Sequence, residues 1–255
     1  MIREFTKDNL KVKIFATRPE MGAYAAEEAK AAIKEALSKK AEIRMIFAAA
    51  PSQNEFLASL VSDKSIDFTR IHAFHMDEYI GLEKDAPQGF GNFLNRAIFS
   101  KAPFKSVTYL NGQCENPEQE CKRYSELLNA APIDIVCMGI GENGHIAFND
   151  PPVADFNDPF AVKVVKLDEI CRMQQVNDGC FDSIDKVPTH ALSLTVPRLI
   201  NADKLFCIVP APTKANAVKA TLEGEITTQC PASILRRHNC AVLYLDADSA
   251  SLLTK

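Results

Sequence analysis

The sequence predicts an α/β fold in which helices cover both faces of an open, mostly parallel sheet. Three observations predict it. Short apolar runs alternate with longer amphipathic stretches, several stretches carry helix-capping signals, and the most apolar run, residues 133–139, is typical of a central parallel strand. The chain has 255 residues, 47% apolar and 24% charged, which is enough for a sizeable core. No repeat or flexible linker divides it, so we expect a single domain, residues 1–255, of Rossmann-like type.

The first predicted elements are a strand at residues 10–16 and a helix that runs to about residue 40. Thr17 is the expected N-cap of this helix, and Glu20, three residues later, is expected to complete a capping box. Pro117 is suited to the first position of a later helix, and Gly224 to the end of the last one. The other predicted elements are a strand at 43–48, a helix at 53–61, a strand at 70–76, a helix from 117, strands at 133–139, 162–167, 191–195 and 205–210, a helix at 213–223 and a strand at 241–245.

Composition excludes several classes of protein. A net charge of −4 argues against a broadly basic nucleic-acid binder, and no apolar run approaches the roughly 18 residues that a membrane helix needs. The charged N-terminus lacks the apolar core of a secretory signal, so we expect a cytoplasmic protein. The eight cysteines form no CxxC pair and no cluster with histidine. We therefore expect small buried thiols in a reducing compartment, and no metal site.

Ligands of such folds bind at the carboxyl ends of the strands, and polar residues follow four of the predicted strands. After the strand at 70–76 come two adjacent carboxylates, Asp77 and Glu78. Neighbouring side chains at a strand end point in opposite directions, so one carboxylate can face the cleft while the other pairs with backbone or a cation. An ordinary acidic turn is the alternative interpretation of this pair.

The strand at 133–139 is followed by a glycine-rich turn with the sequence GIGENGHIAFNDP, residues 139–151. Its three glycines, Gly144 among them, permit tight turns and close approach of the backbone to a ligand. His145 lies between Asn143 and Asp150 in this turn, and either side chain could orient its ring for proton transfer. The spacing is not that of a dinucleotide-binding fingerprint. A structural histidine is the alternative.

Two further strand ends suggest an anion pocket. Lys214 begins a helix after the strand at 205–210, where backbone N–H groups and a cation favour phosphate. The turn at 48–53, with the sequence AAAPSQ, offers Ser52, Gln53 and backbone amides as the opposite wall. A solvated lysine in a first helical turn is the alternative for Lys214.

The segments 75–82, HMDEYIGL, and 139–151 together resemble the two signature segments of the glucosamine-6-phosphate deaminases, a family related to the 6-phosphogluconolactonases. The resemblance covers residues 15–247 and implies conversion of glucosamine 6-phosphate and water into fructose 6-phosphate and ammonia, without a redox cofactor. It implies a small sugar phosphate as partner, neither nucleic acid nor membrane, and leaves a monomer or a homo-oligomer open.

The resemblance also implies a role for each site residue. Asp77 would move the proton between C2 and C1, His145 would open the sugar ring, and Lys214 would bind the phosphate. Many family members have Asp at the position of Asn143 and Glu at that of Asp150. The family's phosphate loop is richer in Gly and Thr than residues 48–53, and Arg172 is the nearest candidate for its phosphate-binding arginine.

Three other functions stay open at this point. They are deamination of another hexosamine phosphate, such as the galactosamine isomer, hydrolysis of 6-phosphogluconolactone, and non-catalytic sensing of a sugar phosphate. The unusual phosphate loop motivates both the first and the last of these functions, and Asn143 motivates the last. Asp77 and His145 together favour an enzyme, since a pure binding protein would need neither.

Overall fold

The computed structural model describes residues 1–254 and contains two sheets. The strands are β1 (Arg3–Lys7), β2 (Leu10–Phe15), β3 (Ile43–Phe47), β4 (Ile71–His75), β5 (Asp77–Tyr79), β6 (Ser106–Thr108), β7 (Ile133–Met138), β8 (Val162–Lys166), β9 (His190–Leu194), β10 (Ala202–Val209) and β11 (Ala241–Asp246). The α-helices are α1 (Arg18–Lys39), α2 (Asn54–Ser62), α3 (Phe90–Leu94), α4 (Pro117–Asn129), α5 (Glu169–Asn177), α6 (Val196–Ile200) and α7 (Ala215–Glu223). None of these helices combines the length and the apolar composition needed to cross a membrane.

The main sheet has eight strands in the order β1-β2-β11-β10-β7-β3-β4-β6. All neighbouring pairs are parallel except β1 and β2, which form an antiparallel hairpin at one edge. The predicted open, mostly parallel sheet is therefore confirmed. From β3 the chain winds outward to β4 and β6, and from β7 it winds the other way to β10 and β11, so a crevice opens between the carboxyl ends of β3 and β7.

Both faces of this sheet are buried, because side chains alternate along each strand. On β7, Ile135 and Cys137 belong to one apolar cluster, whereas Val136 and Met138 belong to the other. The first cluster includes residues of α1, α2 and α3, and the second includes residues of α4, α6 and α7. This arrangement confirms the predicted helices on both faces. Cys137 is buried as expected, but Cys240 is exposed.

The second sheet is a difference from the sequence prediction. The predicted strands at 162–167 and 191–195 do form, as β8 and β9, but they pair antiparallel with each other, and β9 pairs with the short β5. This three-stranded sheet forms beyond the carboxyl end of β4, where β5 begins two residues after β4 ends. It therefore places the start of β5 at the ligand-binding edge of the main sheet.

Capping residues set the starts of the two longest helices. The Thr17 hydroxyl accepts from the N–H of Glu20 at 3.3 Å, and Asn116 caps α4 by accepting from Gln119 at 3.1 Å. The capping box of α1 is incomplete, because the Glu20 carboxylate accepts from the N–H of Ala16 and not from that of Thr17. Each cap satisfies an N–H group that the helix itself leaves without a partner.

Candidate active site

A cleft lies at the carboxyl edge of the main sheet, and residues after four different strands line it. Ser52 follows β3, Asp77 follows β4, His145 follows β7 and Lys214 follows β10. The sequence prediction that polar strand-end residues meet in one place is correct for these four side chains. Helix α5 closes another side with Gln174 and Gln175, together with Asp178, the residue directly after its end.

The two adjacent carboxylates point in opposite directions, as expected for a strand. Asp77 lines the cleft, whereas Glu78 accepts hydrogen bonds from the backbone N–H groups of Tyr79, Phe90 and Gly91 at 2.8–3.0 Å. Burial, reinforced by the charge of Glu78, raises the pKa of Asp77 well above its ordinary value. A carboxylate of raised pKa that faces a cleft is suited to accept and return a proton near neutral pH.

The glycine-rich turn brings the ring of His145 against the backbone. Gly141 donates to the carbonyl oxygen of His145 at 2.9 Å, and Gly144 donates to that of Gly141 at 3.0 Å with φ +84°. A β-carbon at Gly141 would lie 2.1 Å from the His145 ring. Glycine is therefore required at this position for the imidazole to reach the cleft.

Asp150 is the charged side chain that contacts the imidazole. Its Oδ1 lies 2.9 Å from Nδ1 of His145, and its Oδ2 accepts from the N–H of Asp168 at 3.1 Å. Burial favours the neutral form of Asp150, but His145, Asn143 and the Asp168 N–H outweigh it and lower the pKa of this carboxyl. An ionised carboxylate on one ring nitrogen favours the imidazole in a form that transfers protons through the other.

Asn143 holds this pair together without facing the cleft. Its amide nitrogen donates to Asp150 at 3.0 Å, and its amide oxygen accepts from the backbone N–H of His145 at 3.1 Å. Of the two side chains that sequence analysis offered as partners of the ring, Asp150 contacts it and Asn143 braces the contact. Neither side chain lines the cleft itself.

One group of three potential metal ligands occurs within residues 1–254. Atoms of His145, Asp150 and Cys171 lie within 4.8 Å of one another, and all three side chains are buried. The 2.9 Å separation of the His145 and Asp150 atoms is a hydrogen-bonding distance. It is shorter than the separation of about 3.3 Å that two ligands of a tetrahedral zinc ion would have. We interpret the group as an acid–base pair with a neighbouring thiol.

A buried cation and backbone N–H groups lie at the other end of the cleft. Lys214 is only 5% exposed, and its Nζ has no hydrogen-bond partner within the described residues. Burial lowers the pKa of Lys214, although the charges of Asp178 and Glu142 oppose this effect. In the turn after β3, the N–H groups of Ala49 and Ala50 donate to no group in residues 1–254.

Three residues that the sequence suggested as substrate contacts lie elsewhere. Gln53 is fully buried and donates to Ser52 and to the carbonyl oxygens at the ends of β7 and β10, so it ties three strand ends together. Gly144 packs against Cys230, where a β-carbon would lie 2.8 Å from the sulfur. Arg172 points away from the cleft and donates to the carbonyl oxygens of Ile184 and Val187.

Sequence analysis missed Arg18, Gln174, Gln175 and Asp178, which all line the cleft. The last three belong to α5 and its end, a helix that the sequence did not predict. Arg18 had a detectable signal, because it comes two residues after a predicted strand and lies at the start of a predicted helix, as Lys214 does.

Known proteins resemble this chain over most of its length. A sequence model of the glucosamine-6-phosphate isomerases/6-phosphogluconolactonase family matches residues 16–244. A glucosamine-6-phosphate deaminase of Listeria welshimeri is 36% identical over 212 residues, which are 83% of this chain and 88% of that protein. One of Lacticaseibacillus paracasei is 33% identical over 244 residues, 96% of this chain and 99% of that protein.

Solved structures agree in fold. The structure of a monomeric glucosamine-6-phosphate deaminase superposes with a TM-score of 0.86 at 30% identity, covering 95% of this chain and 99% of that one. The 6-phosphogluconolactonase of Thermotoga maritima superposes with a TM-score of 0.76 at 19% identity, covering 93% and 99%. At that identity the lactonase shows the shared fold alone.

Proposed function

This chain belongs to the glucosamine-6-phosphate isomerase/6-phosphogluconolactonase family, and on that premise we propose that it converts glucosamine 6-phosphate and water into fructose 6-phosphate and ammonia. The observation that carries the proposal is the shared cleft. It joins a carboxylate of raised pKa, Asp77, and a carboxylate-oriented imidazole, His145, to a buried lysine without a partner, Lys214. A proton-transfer centre and an anion site at one strand edge are what this reaction requires.

The first step is opening of the sugar ring, for which we propose His145. The imidazole takes the proton of the C1 hydroxyl and delivers a proton to the ring oxygen as the C1–O5 bond breaks. Contact with Asp150 stabilises the transient imidazolium, since that carboxyl is ionised. The product is the open-chain aldehyde.

The second step is a proton transfer between neighbouring carbons, for which we propose Asp77. Its carboxylate removes the proton from C2 while the C1 oxygen gains the proton that the substrate's ammonium group loses, which leaves a neutral enolamine across C1 and C2. Asp77 then returns a proton to C1. The resulting iminium at C2 adds water and expels ammonia, which leaves the ketone. Burial of Asp77 supports this role, because a raised pKa makes its carboxylate a stronger base toward the weakly acidic proton at C2.

The phosphate end holds the reacting carbons in place. We propose that Lys214 contacts the phosphoryl group and that Ser52 and the backbone N–H groups of Ala49 and Ala50 complete the site. Binding energy from this remote group orients C1 and C2 against Asp77 and His145. Gln53 supports the site by positioning Ser52, whose hydroxyl accepts from it at 3.0 Å.

Ammonia release from purified protein tests this function directly. Glucosamine 6-phosphate, galactosamine 6-phosphate and 6-phosphogluconolactone are assayed side by side, with hydrolysis followed for the lactone. We expect turnover of glucosamine 6-phosphate above about 1 per second. Turnover of only one of the other two substrates would contradict the proposal and would assign the chain a different activity of the same family. Tight binding of all three without turnover would favour a sensor.

We also propose a cytoplasmic location, which the free cysteines support. All eight are unpaired, and Cys137 and Cys207 are fully buried within the sheet. Thiols persist in a reducing compartment. The location is tested by fractionating cells and probing each fraction with an antibody. Recovery outside the cytoplasmic fraction would contradict it.

A further inference from the structure

Arg18 is a second cation in the cleft, and neither sequence motif includes it. It is the first residue of α1, directly after the capping residue Thr17, and its side chain lines the same cleft as Lys214. It reaches the site from β2, which is separated from β7 by two strands of the sheet. The arginine suggested by the sequence, Arg172, is bound to carbonyl oxygens elsewhere and is not available.

The guanidinium of Arg18 is held in place by two contacts. Its Nε donates to the Glu55 carboxylate at 2.8 Å, and one terminal nitrogen, Nη2, donates to the carbonyl oxygen of Pro51. The other terminal nitrogen, Nη1, has no partner within residues 1–254. Because the fork of an arginine is rigid, these contacts leave donors free beside the turn that follows β3.

Close packing of two helices creates this arrangement. A β-carbon at Gly22 of α1 would lie 2.6 Å from Cβ of Glu55 on α2, so the helices touch at this point. Their contact sets the first turn of α1 over the turn at Pro51, which precedes α2. The sequence of α1 therefore determines where the Arg18 guanidinium lies.

The charges of the cleft indicate what the second cation is for. A phosphoryl group carries a charge of about −1.5 to −2 at neutral pH. Lys214 supplies one positive charge, and Asp178 lines the same cleft with a negative one. One lysine beside a carboxylate cannot balance a dianion. A second, oriented cation adds a positive charge and reduces this imbalance.

We propose that Arg18 binds the phosphoryl group of the substrate together with Lys214, with Glu55 as the residue that positions its guanidinium. The phosphate site is thereby assembled from the ends of β2, β3 and β10. The inference rests on the proposed function in taking a phosphorylated sugar as ligand. It goes beyond the proposed function by naming Arg18 as the phosphate-binding arginine, in place of Arg172, which the family resemblance suggested.

The test uses Arg18→Gln, Arg18→Lys and a control, Arg172→Gln, in the full-length protein. Affinity for inorganic phosphate is measured by calorimetry, and KM and kcat are measured with glucosamine 6-phosphate. In Arg18→Gln we expect phosphate affinity to fall roughly 10- to 100-fold. We expect KM to rise by a similar factor while kcat changes less, because the residue is remote from C1 and C2.

Arg18→Lys should recover part of the loss, since it keeps the charge and loses the fork. Arg172→Gln should bind phosphate as the wild type does. Phosphate affinity unchanged in a folded Arg18→Gln would overturn the proposal, and so would a loss of equal size in Arg172→Gln. If Arg18→Gln does not fold, Glu55→Gln serves instead, with a weaker loss of phosphate affinity expected and no change contradicting the proposal.

Phosphate affinity is measured without turnover, so the test of Arg18 does not depend on whether the proposed reaction is correct. Loss of phosphate affinity in a protein that deaminates no hexosamine phosphate would leave the role of Arg18 intact and refute the reaction. Deaminase activity in the wild type, together with unchanged phosphate affinity in Arg18→Gln, would support the reaction and refute the role of Arg18.

Discussion

Replacing Lys214 with methionine is expected to stabilise the fold while weakening the enzyme. The lysine is 5% exposed, and its Nζ has no hydrogen-bond partner within residues 1–254. Its pKa is lowered because burial disfavours the charged form. The folded protein therefore holds this proton less tightly than the unfolded chain does, so the charged lysine destabilises the fold at neutral pH. The penalty declines as pH rises through the lowered pKa toward 10.5.

The size of both effects follows from this environment. A buried polar group without a partner costs about 1–3 kcal/mol, so Lys214→Met should raise the free energy of unfolding by that amount. For a chain of this length each kcal/mol corresponds to about 2–4 °C in Tm. Loss of a charge-assisted hydrogen bond to phosphate, about 1.5–3 kcal/mol, should lower kcat/KM about 10- to 150-fold.

Two measurements and a control check this prediction. Urea unfolding without ligand gives the stability, and ammonia release gives kcat/KM. The matched control is Lys219→Met on α7, the helix that directly follows Lys214, where the ammonium is exposed and donates to the carbonyl oxygen of Leu252. We expect the control to change stability by less than about 0.5 kcal/mol. A destabilised Lys214→Met, or one with wild-type kcat/KM, would refute the reasoning that this buried charge serves ligand binding.

Two other substitutions test the supports of the site. Gly141→Ala should lower kcat by at least about tenfold with the fold retained, because the new β-carbon would lie 2.1 Å from the ring of His145 and must displace it. Steady-state kinetics check this, and unchanged kcat would show that the ring need not lie there. His75→Asn should flatten the loss of stability in acid. Burial lowers the pKa of His75 to about 4 from 6.5, so the unfolded chain takes up the proton first and wild-type stability falls by about 3 kcal/mol as pH drops through that window. Urea unfolding at pH 7, 5.5 and 4.5 measures the slope, and an equal slope in the variant would contradict this account.

Six of the eight strands of the main sheet were predicted, because each is a short apolar run with a clear boundary. The sequence prediction missed β1, with the sequence REFTK, and the three-residue β6, because neither is an apolar run. The sequence did not indicate which strands would pair. β8 and β9 are short runs rich in apolar residues, as several strands of the main sheet are, yet they form a separate antiparallel sheet with β5. Partner choice depends on contacts distant in the chain, and a local pattern does not contain them.

The site was predictable where a residue type and a strand end coincide. That rule found Asp77, His145, Ser52 and Lys214, and it would have found Arg18 had it been applied after β2. It failed for Arg172, because closeness along the chain to the expected motif does not fix where a helical side chain points.

The central claim is that Asp77 moves a proton in a deaminase active site, and Asp77→Asn tests it most directly. The amide keeps the size of the side chain but cannot act as a base at neutral pH. Ammonia release from glucosamine 6-phosphate and calorimetric binding of fructose 6-phosphate are measured on wild type and variant. We expect turnover to fall by about 10²- to 10⁴-fold, with product affinity changed by only a few-fold. Turnover within tenfold of the wild type, with product still bound, would contradict the account.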